Sequence, residues 1–115
     1  MSITILHNPR CSKSRQTLQL LKNKGIEPEV VEYLKTPPDA SELGRILDLL
    51  GLAPRDLMRR KEQVYKELGL DDPTRGHADL IAAMTENPIL IERPIVLAGG
   101  KAALGRPPEN VLSIL

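Results

Sequence analysis

The chain has a single cysteine, Cys11, and it lies in a cation-rich segment. A short apolar run, Ile3 to Leu6, precedes it and a pattern of helical spacing follows, so Cys11 is predicted at a strand-to-helix junction. The first free backbone N–H groups of a helix gather at such a junction, and they favour a thiolate over a thiol. The cations Arg10, Lys13 and Arg15 act in the same direction. We therefore interpret Cys11 as a nucleophile rather than as a buried structural cysteine.

Polar residues flank Cys11, and for two of them the sequence leaves two interpretations open. His7, as an imidazolium, could lower the pKa of the thiol, or it could cap the strand end through a hydrogen bond. Ser14 could donate a hydrogen bond to the sulfur, or it could be an ordinary serine of the first helical turn. Asn8 is expected to orient the loop, and Arg15 is expected to act on the loop electrostatically without contacting a substrate.

The composition limits the classes of function. A length of 115 residues predicts one domain. A net charge of +1 gives no strong overall electrostatic attraction to nucleic acid or to an anionic membrane. No apolar stretch reaches the roughly 18 residues of a membrane span, and no signal peptide is recognised. His77 has no partner at ligand spacing, so neither a metal nor a bound cofactor is expected. A lone cysteine excludes an internal disulfide, which favours a cytoplasmic location and requires an external thiol to resolve any adduct.

The chain is predicted to begin with a βαβ unit. Its strands cover Ile3 to Leu6 and Val30 to Leu34, and its helix ends at Gly25. Helices follow, the first with Asp39 as N-cap in capping-box spacing with Glu42. Three more helices are predicted, two short ones over Arg55 to Arg59 and Glu62 to Leu68 and a further one over Leu80 to Met84. Two strands joined by a tight turn follow, Ile95 to Ala98 and Ala102 to Leu104. A last short helix covers Pro107 to Leu115. This order predicts a layered α/β domain rather than a helical bundle.

The segment from His7 to Arg15 resembles the active-site loop of the arsenate reductase family, whose members have a thioredoxin-like fold. The resemblance continues in order along the chain, through Leu57-Met58-Arg59, Tyr65 to Leu70, Asn87 to Val96 and Gly105-Arg106-Pro107. It implies one domain over residues 1–115, with a thioredoxin-like core, a mixed four-stranded sheet and an inserted helical segment at about 39–88. It also implies a cis peptide bond before Pro94, beside the reactive cysteine.

The resemblance further implies the chemistry of the site. In this family a cysteine thiolate attacks arsenate, three arginines bind the oxyanion, and glutathione and glutaredoxin supply the electrons. By motif, Cys11 is the nucleophile and Arg59, Arg93 and Arg106 are the arginines, with Arg60 as the alternative to Arg59. Arginine suits a tetrahedral dianion because its planar fork of N–H donors stays charged.

The sequence departs from the better-known arsenate reductases next to the nucleophile. Arg10 precedes Cys11 and Ser12-Lys13 follows it, where those enzymes tend to have small uncharged residues. The physiological substrate is therefore left open. One alternative is an Spx-like regulator that binds RNA polymerase, although such proteins usually have a second cysteine where Ser14 stands. Another is a glutathione-dependent thiol oxidoreductase with a different substrate, for which three oxyanion-binding arginines have no clear purpose.

Overall fold

The strand that leads to Cys11, β1 (Ile3–His7), lies inside a mixed four-stranded sheet. The structure is a computed structural model that describes residues 2–115. β1 pairs in parallel with β2 (Glu29–Glu32) and antiparallel with β3 (Ile95–Ala98), which pairs antiparallel with β4 (Lys101–Leu104). β1 is paired along both edges, and its residues Ile5, Leu6 and His7 are buried, so side chains on both faces of the strand are covered and an apolar run is favoured. The predicted α/β fold with a mixed four-stranded sheet is confirmed.

Two compact units make up the chain, and the first contains this sheet. It comprises residues 2–36 together with residues 93–115. Its helix, α1 (Ser12–Asn23), places Leu21 in the hydrophobic core, and a 3₁₀ helix (Pro108–Ile114) adds Val111. The core residues from the strands are Ile5, Val96 and Ala103. β1 and α1 therefore share one core, which limits where the loop between them can lie.

The second unit, residues 37–92, is helical. It contains α2 (Ala40–Leu50), α3 (Gln63–Glu67) and α4 (His77–Glu86). The Asp39 carboxylate accepts a hydrogen bond from the Glu42 N–H at 2.8 Å, so the predicted N-cap of α2 is confirmed. This unit contains the predicted helical segment, whereas the single-domain organisation of the chain stays a prediction. Within residues 2–115, no helix combines the length and apolar character needed to cross a membrane.

Several predicted elements differ from the observed ones. A 3₁₀ helix (Pro54–Leu57) replaces the helix expected to Arg59, because Met58 is extended and pairs with Ile91 in an antiparallel bridge. β2 ends at Glu32 because the carbonyl of that residue accepts the N–H of Lys35 in a turn. The last helix is of the 3₁₀ type, and a further 3₁₀ helix (Pro88–Leu90) was not predicted.

Candidate active site

Cys11 is the N-cap residue of α1, and its side chain is largely buried, with 8% of the residue exposed. The preceding loop folds back on itself, since the N–H of Cys11 donates to the carbonyl oxygen of Asn8 at 3.0 Å. The sulfur then faces the first turn of α1, where it accepts hydrogen bonds from the backbone N–H groups of Ser14 and Lys13. These are the unpaired donors that a helix start presents. The local fold therefore makes a small anion-binding turn around the sulfur.

The pKa of Cys11 lies below its ordinary value. Burial alone raises the pKa of this thiol, but the Ser14 N–H, the charge of Arg93, the Lys13 N–H and a hydrogen bond from Arg106 together outweigh burial. All four of these groups stabilise the thiolate rather than the thiol. The environment therefore increases the fraction of Cys11 present as a nucleophile at neutral pH.

Two of the predicted arginines lie in the same unit as Cys11. Nη1 of Arg106 is 3.9 Å from Sγ of Cys11, and it donates to the carbonyl oxygen of Arg93 at 3.0 Å. Arg93 acts on the sulfur through its charge. Two guanidinium groups and a helix start thus converge on one sulfur atom, an arrangement suited to holding an oxyanion beside a thiolate.

Each of these two arginines precedes a proline. The Arg93–Pro94 bond is cis, as the resemblance implies. The Arg106–Pro107 bond is also cis, which no sequence pattern indicated. Both bonds belong to the segments that face Cys11.

The structure favours one of the two interpretations of His7. Burial lowers the pKa of His7, with Arg15 and Lys22 adding to the effect and Glu32 opposing it. The neutral imidazole is therefore the main form near pH 7, and an imidazolium beside the thiol is disfavoured. Nδ1 of His7 lies 2.6 Å from Oγ of Ser14, so the role of His7 is a buried hydrogen bond.

The Ser14 hydroxyl makes hydrogen bonds to His7 and Asn8, whereas a contact with the sulfur was one of the two interpretations left open by the sequence. The hydroxyl oxygen lies against His7 and also accepts the N–H of Asn8 at 3.0 Å. The backbone N–H of Ser14, rather than its hydroxyl, donates a hydrogen bond to the sulfur of Cys11. The side chain thereby ties the end of β1 to the first turn of α1, and Ser14 is itself fully buried.

Asn8 and Arg15 brace the loop. The Asn8 side-chain oxygen accepts the N–H of Arg10 at 3.0 Å, and Nη1 of Arg15 donates to the carbonyl oxygen of Pro9 at 2.9 Å. These contacts tie both side chains to the backbone of the loop, and the roles expected for Asn8 and Arg15 stay predictions.

Arg59 belongs to the second unit. The backbone N–H of Arg59 donates to the carbonyl oxygen of Leu90 at 2.7 Å, and its guanidinium forms an ion pair with the carboxylate of Glu62 at 3.2 Å. The neighbouring Arg60 pairs with Asp56 at 3.7 Å, and its side chain is 53% exposed compared with 25% for Arg59. The assignment of Arg59 as an oxyanion ligand stays a prediction.

The described residues contain no group of three His, Cys, Asp or Glu side chains that could hold a metal ion. His77 is the first residue of α4 and is exposed, in agreement with its interpretation as a helix-start residue. The sequence predicted only that N–H groups of the helix start would favour the thiolate, and the structure identifies these groups as the N–H groups of Ser14 and Lys13.

Comparison with known proteins gives consistent matches over nearly the whole chain. A model of the ArsC family matches residues 6–114. "Uncharacterized protein YfgD" of Escherichia coli K12 is 59% identical over 114 residues, which cover 98% of this chain and 96% of that protein. "Arsenate reductase" of Neisseria meningitidis Z2491 is 58% identical over 114 residues, which cover 98% of this chain and 97% of that protein.

A solved structure, "Arsenate reductase from Vibrio cholerae", superposes with a TM-score of 0.97 at 56% sequence identity. The match covers 100% of this chain and 98% of that one. The thioredoxin-like fold implied by the resemblance is thereby confirmed.

Proposed function

The chain belongs to the ArsC family, and we propose that it reduces arsenate to arsenite with Cys11 as the nucleophile. The observation that carries the proposal is the guanidinium of Arg106 at 3.9 Å from the Cys11 sulfur, in a site that lowers the pKa of the thiol. Relatives from Neisseria meningitidis and Vibrio cholerae, at 58% and 56% identity, carry the name arsenate reductase.

The first step is attack of the Cys11 thiolate on arsenic. A sulfur–arsenic bond forms, one arsenic–oxygen bond breaks, and the leaving oxygen takes up protons and departs as water. The product is a Cys11 thiol–arsenate adduct in which arsenic is still pentavalent. Positive charge fixed beside the sulfur stabilises the charge that develops on the arsenate oxygens.

Arg93 and Arg106 are the proposed ligands of the arsenate oxygens in the first unit. A guanidinium group presents positive charge and paired N–H donors to a tetrahedral dianion. Arg59 is proposed as a third arsenate-binding arginine on its sequence motif alone. The supporting contacts of His7, Asn8, Ser14 and Arg15 keep the loop and helix start in place.

An external thiol completes the reaction. The chain has one cysteine, so it cannot form an intramolecular disulfide. We propose glutathione as the thiol co-substrate and glutaredoxin as the protein that reduces the resulting mixed disulfide. In the full cycle two thiols lose two electrons and become a disulfide, while arsenic gains these electrons and is released as arsenite. No resident cofactor is required, and a glutathione pool fits a reaction in the cytoplasm.

The test is arsenite production from arsenate by the purified protein with glutathione, glutaredoxin and a recycling system. Cys11→Ser is compared with the unchanged protein and with Ser12→Ala, a matched control at the exposed neighbouring position. Turnover that disappears only in Cys11→Ser supports the proposal. Full activity in Cys11→Ser overturns the mechanism.

A different outcome would direct attention to the alternatives. Absence of arsenite, with Cys11 still rapidly alkylated and not protected by arsenate, would favour a glutathione-dependent thiol oxidoreductase with another substrate. Specific binding to RNA polymerase without turnover would favour the Spx-like regulator. The arginines around Cys11 support the reductase over both.

A further inference from the structure

Gly105 occupies a place where a side chain does not fit. It follows β4 and precedes Arg106, and it is buried. A Cβ atom at this position would lie 2.6 Å from Oγ1 of Thr17 and 2.8 Å from Cγ of Pro94. Contacts this short are far inside van der Waals distance, so any other residue requires a neighbour to move.

Neither neighbour can move easily. Thr17 is fully buried, and its hydroxyl donates to the carbonyl oxygen of Lys13 at 2.8 Å, one turn back along α1. Pro94 is a buried ring next to the backbone of Arg93, and its carbonyl oxygen accepts the N–H of Gly105 at 2.9 Å. The space around Gly105 is therefore set by a helix and by a ring with no free torsion.

Three functional segments meet at Gly105. Thr17 belongs to α1, whose N-cap is Cys11, Pro94 follows Arg93, and Gly105 itself precedes Arg106. The same segments meet a second time at the site, where Arg106 donates to the carbonyl oxygen of Arg93 and contacts the Cys11 sulfur. The contact at Gly105 thus sets the separation between the chain bearing Arg106 and the helix bearing the nucleophile.

We propose that Gly105 is a positioning residue whose lack of a side chain lets the Arg106 segment approach α1 closely enough for Arg106 to reach the Cys11 sulfur. The inference rests on the proposed function insofar as it treats Arg106 and Cys11 as parts of one reactive site. An added methyl group must push the Gly105–Arg106 segment away from Thr17. Arg106 then loses its contact with the thiolate while the rest of the site stays intact.

The test compares Gly105→Ala with Gly76→Ala. Gly76 is a matched control because its backbone conformation is ordinary, with φ of −78°, and no atom lies within 4 Å of the added Cβ. The rate of Cys11 alkylation by iodoacetamide is measured against pH, with circular dichroism to establish that each variant is folded. Gly105→Ala is expected to shift the profile to higher pH and to slow alkylation at neutral pH about tenfold, the effect of losing one charge-assisted hydrogen bond. Gly76→Ala is expected to match the unchanged protein.

A second substitution tests the steric origin. Thr17→Ala removes two of the three short contacts to the added methyl group, those of Oγ1 and Cγ2. In the Gly105→Ala background it is expected to move the profile back toward that of the unchanged protein, whereas two independent defects would add. Recovery supports the proposal.

The proposal is overturned by a folded Gly105→Ala protein with an unshifted profile, or by additive effects. It is also overturned if both Gly105→Ala and the double variant fail to fold, because the glycine would then be a folding requirement. Alkylation needs no arsenate. A protein that makes no arsenite therefore counts against the proposed function and leaves this inference to be judged on its own result.

Discussion

Nη1 of Arg106 lies 3.9 Å from Sγ of Cys11, although 95 positions separate the two residues in sequence. The same nitrogen donates to the carbonyl oxygen of Arg93 at 3.0 Å, so its direction toward the sulfur is set by backbone as well as by charge. The reactivity of the sulfur is therefore one readout of where Arg106 lies.

Replacing Arg106 should impair arsenate reduction more than replacing an exposed cation elsewhere in the first unit. Arg106→Ala removes a donor beside the developing oxyanion, and the expected fall in kcat/KM for arsenate is about 100-fold. Arg106→Lys should recover only part of the loss because an ammonium lacks the planar fork. Steady-state kinetics with arsenate measure both, and Lys101→Ala is the control at an exposed cation of the same unit. Equal kinetics for Arg106→Ala and the control would contradict the assignment.

The reaction of Cys11 with an alkylating agent should reach its plateau at a lower pH than the reaction of an ordinary thiol. Burial raises the pKa of Cys11, but the Ser14 N–H, the charge of Arg93 and the other donors lower it further than burial raises it. Because only the thiolate reacts, a lowered pKa moves the rate profile to lower pH.

The matching control is the same protein in denaturant, where the profile should return to that of a free cysteine. The same pKa shift makes the stability of the folded protein depend on pH. The stability contributed by the Cys11 thiolate is present above the unfolded pKa and is lost as the pH falls through the folded pKa. A folded profile at or above the denatured one would contradict the lowered pKa.

Arg59 and Arg60 should differ in their effect on arsenate binding. Arg59 is the less exposed of the two and its backbone is tied to Leu90, whereas the Arg60 side chain is half exposed. We expect Arg59→Ala to raise the KM for arsenate about tenfold or more, as the loss of a charge-assisted contact does, and Arg60→Ala to leave it nearly unchanged. The reverse result would make Arg60 the ligand.

The stability of the first unit should depend on Leu21, which anchors α1 to the sheet. Leu21 is fully buried in the cluster with Ile5 and Val96. Leu21→Ala leaves a cavity and should lower the free energy of unfolding by about 2–5 kcal/mol. Chemical denaturation measures the change, and Gln16→Ala, at an exposed position of the same helix, should cost less than about 0.5 kcal/mol. A small effect at Leu21 would show that the helix is held by other contacts.

Local signals were sufficient for much of the fold. The N-cap at Asp39 is a contact within one helical turn, so residue type and spacing determine it. The bounds of the segment around Met58 were not predictable in the same way. Met58 is extended because it pairs with Ile91, a partner 33 positions later that no local pattern specifies.

The same division applies to the site. Composition and local propensity are enough to establish that the chain has one thiol, that this thiol lies at a strand-to-helix junction among cations, and that an adduct on it needs an external thiol. Three further features appear only in the packed structure: the Ser14 hydroxyl hydrogen-bonds to His7 rather than to the sulfur, burial lowers the pKa of His7, and Gly105 packs against Thr17 next to Arg106, which reaches the Cys11 sulfur. These depend on burial and on distances between remote segments, which exist only once the sheet and α1 have packed.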